Sequence, residues 1–423
     1  MQDAGIRNSP LEAAIPPWTH DGSSRIPFWV YTNASVYERE LERIFYSKHW
    51  NYVCLEAEIP NHGDFKRTAI GERSVIIARD VDGSITAVEN ICAHRGVAFC
   101  RERFGNRKEF LCPYHQWTYD LKGNLQGVPF RRGLKKDGEI RGGMPADFNP
   151  VEHPLNKLRV AVRNGVIFAS FDHGVESLED YFGPEILRYF DRLFDGRKLT
   201  ILGYSRQRIP GNWKLMQENI KDPYHVGLLH TWFVMFGLIR GDQKSRIVMD
   251  EHGRHGAMAS TREATTGGEV TKGLHSFKQD MKLHDGRIID IKPEPWWNGP
   301  TVVMLTLFPN LIVQQQSNSM STRQIMPRGT GAFDFTWTHF GFEDDDPDMA
   351  LRRLRQANMF GPAGYVSADD GEVLGFSQES YERDSSRSTL AEQGGRDWSG
   401  SNHVITENVL RGMYAYWRKV MEI

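Results

Sequence analysis

Cys92-Ala-His94 and, seventeen residues further on, Cys112-Pro-Tyr-His115 are the stretch that decides how this chain is read. Each tip offers one thiolate and one imidazole at close spacing, so two loops can approach one centre from opposite sides. A structural zinc site more often pairs like with like, two cysteines and then two histidines. Here each tip contributes one of each. That suits a centre that is itself asymmetric, with two thiolates on one metal and two imidazoles on the other.

A Rieske [2Fe–2S] cluster has that ligand set, with Cys92 and Cys112 on one iron and His94 and His115 on the other. Neutral imidazoles in place of charged thiolates raise the potential and make a one-electron relay. Respiratory Rieske proteins carry a second cysteine in each loop. Here Tyr114 stands at one such position, Val97 and Phe99 flank the other, and Cys100 is displaced without a partner. The cluster is expected to be of the low-potential kind.

A relay needs a destination, and Asp222-Pro-Tyr-His225-Val-Gly-Leu-Leu-His230 supplies one. A lone histidine here would be read as core. Two histidines behind Asp222 resemble two legs of a 2-His-1-carboxylate triad, which holds Fe(II) and leaves positions open for O2 and substrate. Five residues on an ideal helix rotate a side chain by about 140°. The histidines can therefore share a metal only if the helix widens or ends between them, and Gly227 is the expected irregularity. The third ligand comes from Gly361–Val373, where Asp370 is the expected ligand and Asp369 a helix cap.

The rest of the composition is that of a globular protein. Of 423 residues, 39% are hydrophobic and 25% charged, with a net charge of −2, so no basic face for nucleic acid or anionic lipid is implied. No apolar run approaches the ~20 residues of a membrane span, and the N-terminus lacks a secretory apolar core. Only four cysteines occur, two of them in ligand spacing. That points to a reducing, cytoplasmic compartment. Length predicts more than one domain. Residues 1–50 read as a polar arm and a helix. Residues 51–172 are short β-branched runs split by turns such as Asp82-Gly83, hence a small all-β domain. Residues 173–423 mix helices with strands near 300–308, 311–325 and 333–342, an α+β domain. Asn212–Phe236 is helical in character, and the acidic run 343–348 reads as a turn capping a helix.

Both motifs in this order, with the GPAG…Asp-Asp segment, resemble the large (α) subunit of Rieske non-haem iron aromatic-ring-hydroxylating oxygenases, over nearly the whole chain. The resemblance implies a Rieske domain placed before a helix-grip-like catalytic domain, one [2Fe–2S] cluster and one mononuclear Fe(II) held by His225, His230 and Asp370. It implies electrons from NADH through a separate reductase and ferredoxin; the chain has no Gly-rich dinucleotide fingerprint of its own. It also implies a homotrimeric ring of α subunits, α3β3 with a small β subunit, in which Asp222 bridges His225 to His115 of a neighbouring chain. The Glu218-Asn219 pair stands one residue closer to Asp222 than in naphthalene-type members, so no role is carried over to Asn219.

Within the family, the stretches RIPGNWKLMQENIKDPYHVGLLHTWF and SNSMSTRQ are similar to the benzoate-type three-component enzymes. This implies hydroxylation of an aromatic carboxylic acid, salicylate to gentisate first. The alternatives are ring dioxygenation of anthranilate, terephthalate or another benzoate, and, outside enzymes, a Rieske electron-transfer protein. A carboxylate in an apolar pocket calls for a positioned arginine, and Arg323 is the candidate. Gln316, seven residues earlier, falls on the opposite face by simple alternation unless the strand bends near Asn318-Ser319. Ser367 could bond a ring hydroxyl, and Trp296 and Trp297 could supply aromatic wall or core.

Overall fold

The computed structural model describes residues 15–236, 244–261 and 284–423. The chain divides into two compact units, one of Phe45–Val175 and one joining Met1–Ile44 to Glu176–Ile423. Among the described residues no helix is long and apolar enough to cross a membrane.

The Phe45–Val175 unit is built of short antiparallel strands. One sheet runs Ile85–Glu89, Arg73–Arg79, Asp64–Ile70, Phe104–Asn106; a second runs Glu109–Leu111, Thr118–Asp120, Leu125–Gly127. Gly83 takes φ 84° in the Asp82-Gly83 hairpin, a conformation that favours glycine. The core gathers Phe65, Ile76, Val88, Phe99, Phe110, Trp117 and Tyr119 around Cys92, Cys100 and Cys112.

The second unit is organised by a seven-stranded antiparallel sheet. Its strands are β1 (Leu199–Ile209), β2 (Lys244–Met249), β3 (Gly256–Thr261), β4 (Val302–Leu307), β5 (Leu311–Gln316), β6 (Ser319–Pro327) and β7 (Phe333–Phe342), in the order β1-β7-β6-β5-β4-β3-β2. The single strand expected over 311–325 is two strands, β5 and β6, turned at Ser317-Asn318, with Gln316 opposite Ser319. Two polar residues of a tight turn hide inside an otherwise strand-like run, which is why the sequence pattern does not show the break.

Six helices accompany the sheet among the described residues of this unit that bear on the site: α1 (Leu178–Leu193), α2 (Trp213–Lys221), α3 (Val226–Leu229), α4 (Pro347–Phe360), α5 (Tyr365–Arg383) and α6 (Asn408–Met421). Asp346, in the acidic run, caps α4 by accepting from Met349 N. Helix α4 holds the β5–β6 turn: Gln356 Oε1 accepts from the backbone of Asn318 and Ser319 at 2.8 and 3.1 Å. Helix α2 is fixed at its start by the buried Glu40 carboxylate. That carboxylate accepts from Trp213 Nε1, Lys214 Nζ and Trp417 Nε1 at 2.8, 2.7 and 2.7 Å.

The helical run expected over Asn212–Phe236 is broken, and not at Gly227. Helix α2 ends at Asp222 (φ −103°, ψ 94°), because the residue before Pro223 is driven out of the helical region. Gly227 sits inside the short α3, which ends at His230 (φ −86°, ψ 59°). His225 and His230 therefore flank a single turn rather than riding one continuous helix.

Candidate metal centres and substrate face

In the all-β unit, both motif tips are tight turns. Gly96 N donates to Cys92 O and Gln116 N to Cys112 O, each at 2.9 Å. The residues closing the turns, Gly96 and Gln116, have φ of 72° and 57°. The two thiols lie buried in the core, whereas His94 is exposed and His115 half-exposed. The rings of His94 and His115 are 4.6 Å apart, and His94 stacks on Trp117 at 4.7 Å. Tyr119 Oη lies 3.3 Å from Cys92 Sγ and accepts from Ala93 N at 3.1 Å. Burial pushes the Cys112 thiol up, with Cys92 adding to the shift. Such thiols are stabilised as thiolates by a metal. Sulfur inside and imidazole outside is the asymmetry that a Rieske cluster requires. All four cysteines are free, and Cys100 is buried with its backbone N bonded to Asn90 Oδ1.

In the other unit, His225, His230 and Asp370 each offer one ligand atom, all within 4.8 Å of one another. Asp370 Oδ1 is the meeting point, 3.6 Å from His225 Nε2 and 3.2 Å from His230 Nε2. A carboxylate stands behind each imidazole. Asp222 Oδ2 is 3.4 Å from His225 Nδ1, and Asp369 Oδ2 is 3.2 Å from His230 Nδ1. Such partners fix the ring and direct the far nitrogen. Burial opposes charge on His225, but Asp222 and Asp370 overcome it and raise the imidazole to about 10. Burial likewise opposes the Asp370 charge, yet the two imidazoles hold that carboxyl well below the usual range.

Asp369 is not a helix cap. Helix α5 begins at Tyr365, with Gly364 as its cap, so both aspartates lie in its second turn. Successive helical residues point about 100° apart, which sends Asp370 to the two Nε2 atoms and Asp369 round to His230. Asn219 donates from Nδ2 to Asp370 Oδ1 at 3.1 Å. It holds the carboxylate directly, a part that its spacing in the motif did not reveal.

Two contacts lay these helices over one face of the sheet. Lys221, at the end of α2, donates to Thr306 Oγ1 on β4 at 2.6 Å. Ser367, on α5, donates to Gln207 Oε1 on β1 at 2.6 Å. The Ser367 hydrogen is thus used to clamp helix to sheet, not held out for a ring hydroxyl. Between those clamps run β7, β6 and β5. Directly paired residues share a face. One row is therefore Trp337, Arg323 and Ile312, and the next is His339, Ser321 and Gln314. Gln316 lies in a third row on the same face, because the Ser317-Asn318 turn restores its parity with Arg323. Its Oε1 accepts from Gln314 Nε2 at 2.8 Å. Trp296 packs on Phe342 and under Arg192 and Arg197, and Trp297 is buried.

Arg323 is 3% exposed, and its guanidinium lies 3.8 Å above the Trp337 ring. No carboxylate is within ion-pair distance of it among the described residues, and its Nε has no hydrogen-bond partner there. Burial lowers it to about 9, against the pull of the Asp370 charge.

Two family models match: "Rieske [2Fe-2S] domain" over residues 49–137 and "Ring hydroxylating alpha subunit (catalytic domain)" over residues 191–423. The chain belongs to the ring-hydroxylating oxygenase alpha subunits. It is 63% identical to the salicylate 5-hydroxylase large oxygenase component of Ralstonia sp., over 98% of either chain. It is 40% identical to the anthranilate 1,2-dioxygenase large subunit of Burkholderia cepacia, over 97% of this chain and 96% of that one. Naphthalene 1,2-dioxygenase from Rhodococcus sp. bound to indole superposes with a TM-score of 0.77 at 25% identity, over 94% of each chain. As a Rieske non-haem iron oxygenase alpha subunit, the protein is an oxidoreductase whose cofactors are a [2Fe–2S] cluster and a mononuclear iron. The buried thiols with outward imidazoles fit the first. Two imidazoles converging on one carboxylate oxygen, a 2-His-1-carboxylate set, fit the second.

Proposed function

We propose that this chain is the terminal oxygenase subunit that hydroxylates salicylate to gentisate. The observation that carries the reading is Arg323: a buried guanidinium without a carboxylate partner among the described residues, on the sheet face spanned by α2, which leads into the His225–His230 turn, and α5, which bears Asp370. A buried unpaired cation is costly, and an aromatic carboxylate is the anion that would relieve it. Close identity to a salicylate 5-hydroxylase component favours salicylate over anthranilate. Ring dioxygenation of anthranilate or another benzoate is the second reading.

In this proposal Cys92, His94, Cys112 and His115 hold the cluster, and His225, His230 and Asp370 hold the iron. The bound centres supply one-electron relay and O2 activation. The balance is one ring C–H, one O2, two electrons and two protons giving one C–OH and one water, with the electrons coming from NADH through a reductase and a ferredoxin. The protein's own side chains do the rest. Asp222 and Asp369 orient the two imidazoles, Asn219 steadies Asp370, and Arg323 and Trp337 seat the carboxylate. Asp222, one-fifth exposed, is assigned as the bridge to His115 of a neighbouring chain, in a trimeric ring completed by a small β subunit. Cys54 and Cys100, the two cysteines outside the ligand set, are not bridged, which supports a cytoplasmic setting.

The test is reconstitution with reductase and ferredoxin, followed by turnover of salicylate, anthranilate, benzoate and terephthalate. Gentisate from salicylate is expected. Catechol from anthranilate with no product from salicylate would overturn the choice.

A further inference from the structure

The sheet face under the metal triad carries more polar groups than a carboxylate alone can satisfy. Five buried atoms there lack hydrogen-bond partners among the described residues: Arg323 Nε, Trp337 Nε1, Gln314 Oε1, Ser321 Oγ and His339 Nδ1. Orphaned buried polar atoms are rare in folded proteins, and each costs the desolvation of the group. Five on three neighbouring strands point to a ligand with matching atoms.

Their chemistry divides by row. The row of Arg323 and Trp337 offers only donors, N–H groups that suit a carboxylate. The next row, Gln314, Ser321 and His339, is different. Gln314 Nε2 donates to Gln316 Oε1, which leaves the Gln314 Oε1, an acceptor, as its unpaired atom. His339 Nε2 is held by Ser205 Oγ at 3.0 Å, which leaves Nδ1 as its working atom. Burial and the nearby Arg323 charge keep this imidazole neutral, lowering it to about 4. This contact allows either tautomer of the neutral ring; with Ser205 Oγ accepting from Nε2–H, Nδ1 is an acceptor. Ser321 stands between these two acceptors. This row therefore calls for a donor on the ligand.

We infer that Gln314, Ser321 and His339 form the receptor for a hydroxyl ortho to the substrate's carboxylate. The inference rests on the salicylate reading and deepens it. The two rows are about 7 Å apart along the strands, a separation that side chains converging on one ring bridge from either side. The carbon para to the hydroxyl is the ring atom farthest from it. With the carboxylate on the neighbouring row, the ring edge that faces His225, His230 and Asp370 is made of the carbon para to the carboxylate and the carbon para to the hydroxyl. Position 5 of salicylate is the latter carbon.

The experiment is calorimetric titration of the iron-loaded oxygenase with salicylate and benzoate, with product analysis in the reconstituted system. The variants are Ser321→Ala, His339→Phe and His339→Asn. Wild type is expected to bind salicylate at least about tenfold more tightly than benzoate. His339→Phe and Ser321→Ala should lower salicylate affinity roughly tenfold while leaving benzoate unchanged. His339→Asn, which keeps a side-chain acceptor, should recover most of the preference, and the hydroxylated position should be scrambled only in His339→Phe and Ser321→Ala. Variants that keep the wild-type preference, or lose both ligands equally, would overturn the receptor. Wild type that binds neither acid would instead overturn the substrate reading on which it rests.

Discussion

Asp369 Oδ2 lies 3.2 Å from His230 Nδ1, on the far side of the ring from Asp370. The two aspartates, adjacent in sequence, hold one histidine from both sides: Asp370 at the nitrogen that faces the metal position, Asp369 at the other. His230 is therefore the better fixed of the two imidazoles, since Asp222 stands 3.4 Å from His225 Nδ1, which has no hydrogen-bond partner among the described residues.

Asp369→Ala should accordingly weaken iron binding without removing a ligand. Loss of such a partner costs about 10- to 100-fold in affinity. Iron content after dialysis against a graded chelator, with the cluster's visible spectrum unchanged, measures this. Iron retention equal to wild type would contradict the role.

Asp222→Asn should leave both iron centres loaded and slow electron passage between them by about a hundredfold. The carboxylate keeps one oxygen for Tyr224 N at 2.8 Å, so the local turn survives in the amide. Single-turnover oxidation of the reduced cluster in the presence of substrate reads the rate directly, and full activity would break the assignment.

Arg323→Ala should raise KM for the aromatic acid by roughly ten- to a hundredfold, the worth of a charge-assisted hydrogen bond, with a smaller fall in kcat. Removing a buried, unpaired cation should also leave the variant no less stable. An unmoved KM would take Arg323 out of the site.

Tyr119→Phe removes the hydroxyl 3.3 Å from Cys92 Sγ. Hydrogen bonds to cluster sulfur favour the reduced, more negative state. The potential should fall by roughly 40 mV, the equivalent of one hydrogen bond of about 1 kcal/mol. A redox titration followed by electron paramagnetic resonance measures it.

Glu218 gives a pH signature. Burial lifts its carboxyl to about 7 despite the opposing hydrogen bonds of Tyr414 and Tyr31. The folded chain thus holds a proton that the unfolded chain has released, and stability falls as pH rises from about 4.5 to about 7. The contribution lost across that window is roughly 3 kcal/mol at most. In Glu218→Gln the slope from this group should vanish in denaturant titrations at successive pH values.

The two Cys-His tips and the His225/His230 pair are legible in the sequence because the chemistry they offer depends on local spacing. Two loop tips or one short segment carry all of the signal. The α+β class was legible too, from runs of strand and helix pattern. The helix breaks at Asp222 and not at Gly227, and Pro223 is the local signal for it. Asp369 resembles a cap in the sequence because the helix start at Tyr365 has no capping side chain to mark it. The motif spacing assigns Asn219 no role, and local pattern cannot show its contact with Asp370, which lies 151 residues away.

The sequence by itself determined which residue types are offered as ligands to two metal centres, since residue identity and short spacing survive any packing. Only the tertiary structure decided that Asp369 supports His230 while Asp370 meets both imidazoles, and that a two-residue turn brings Gln316 back to the face of Arg323. It alone placed Gln314, Ser321 and His339 in one row. Strand register pairs residues far apart in the chain, and one residue of slip reverses every side chain. No local pattern encodes that choice.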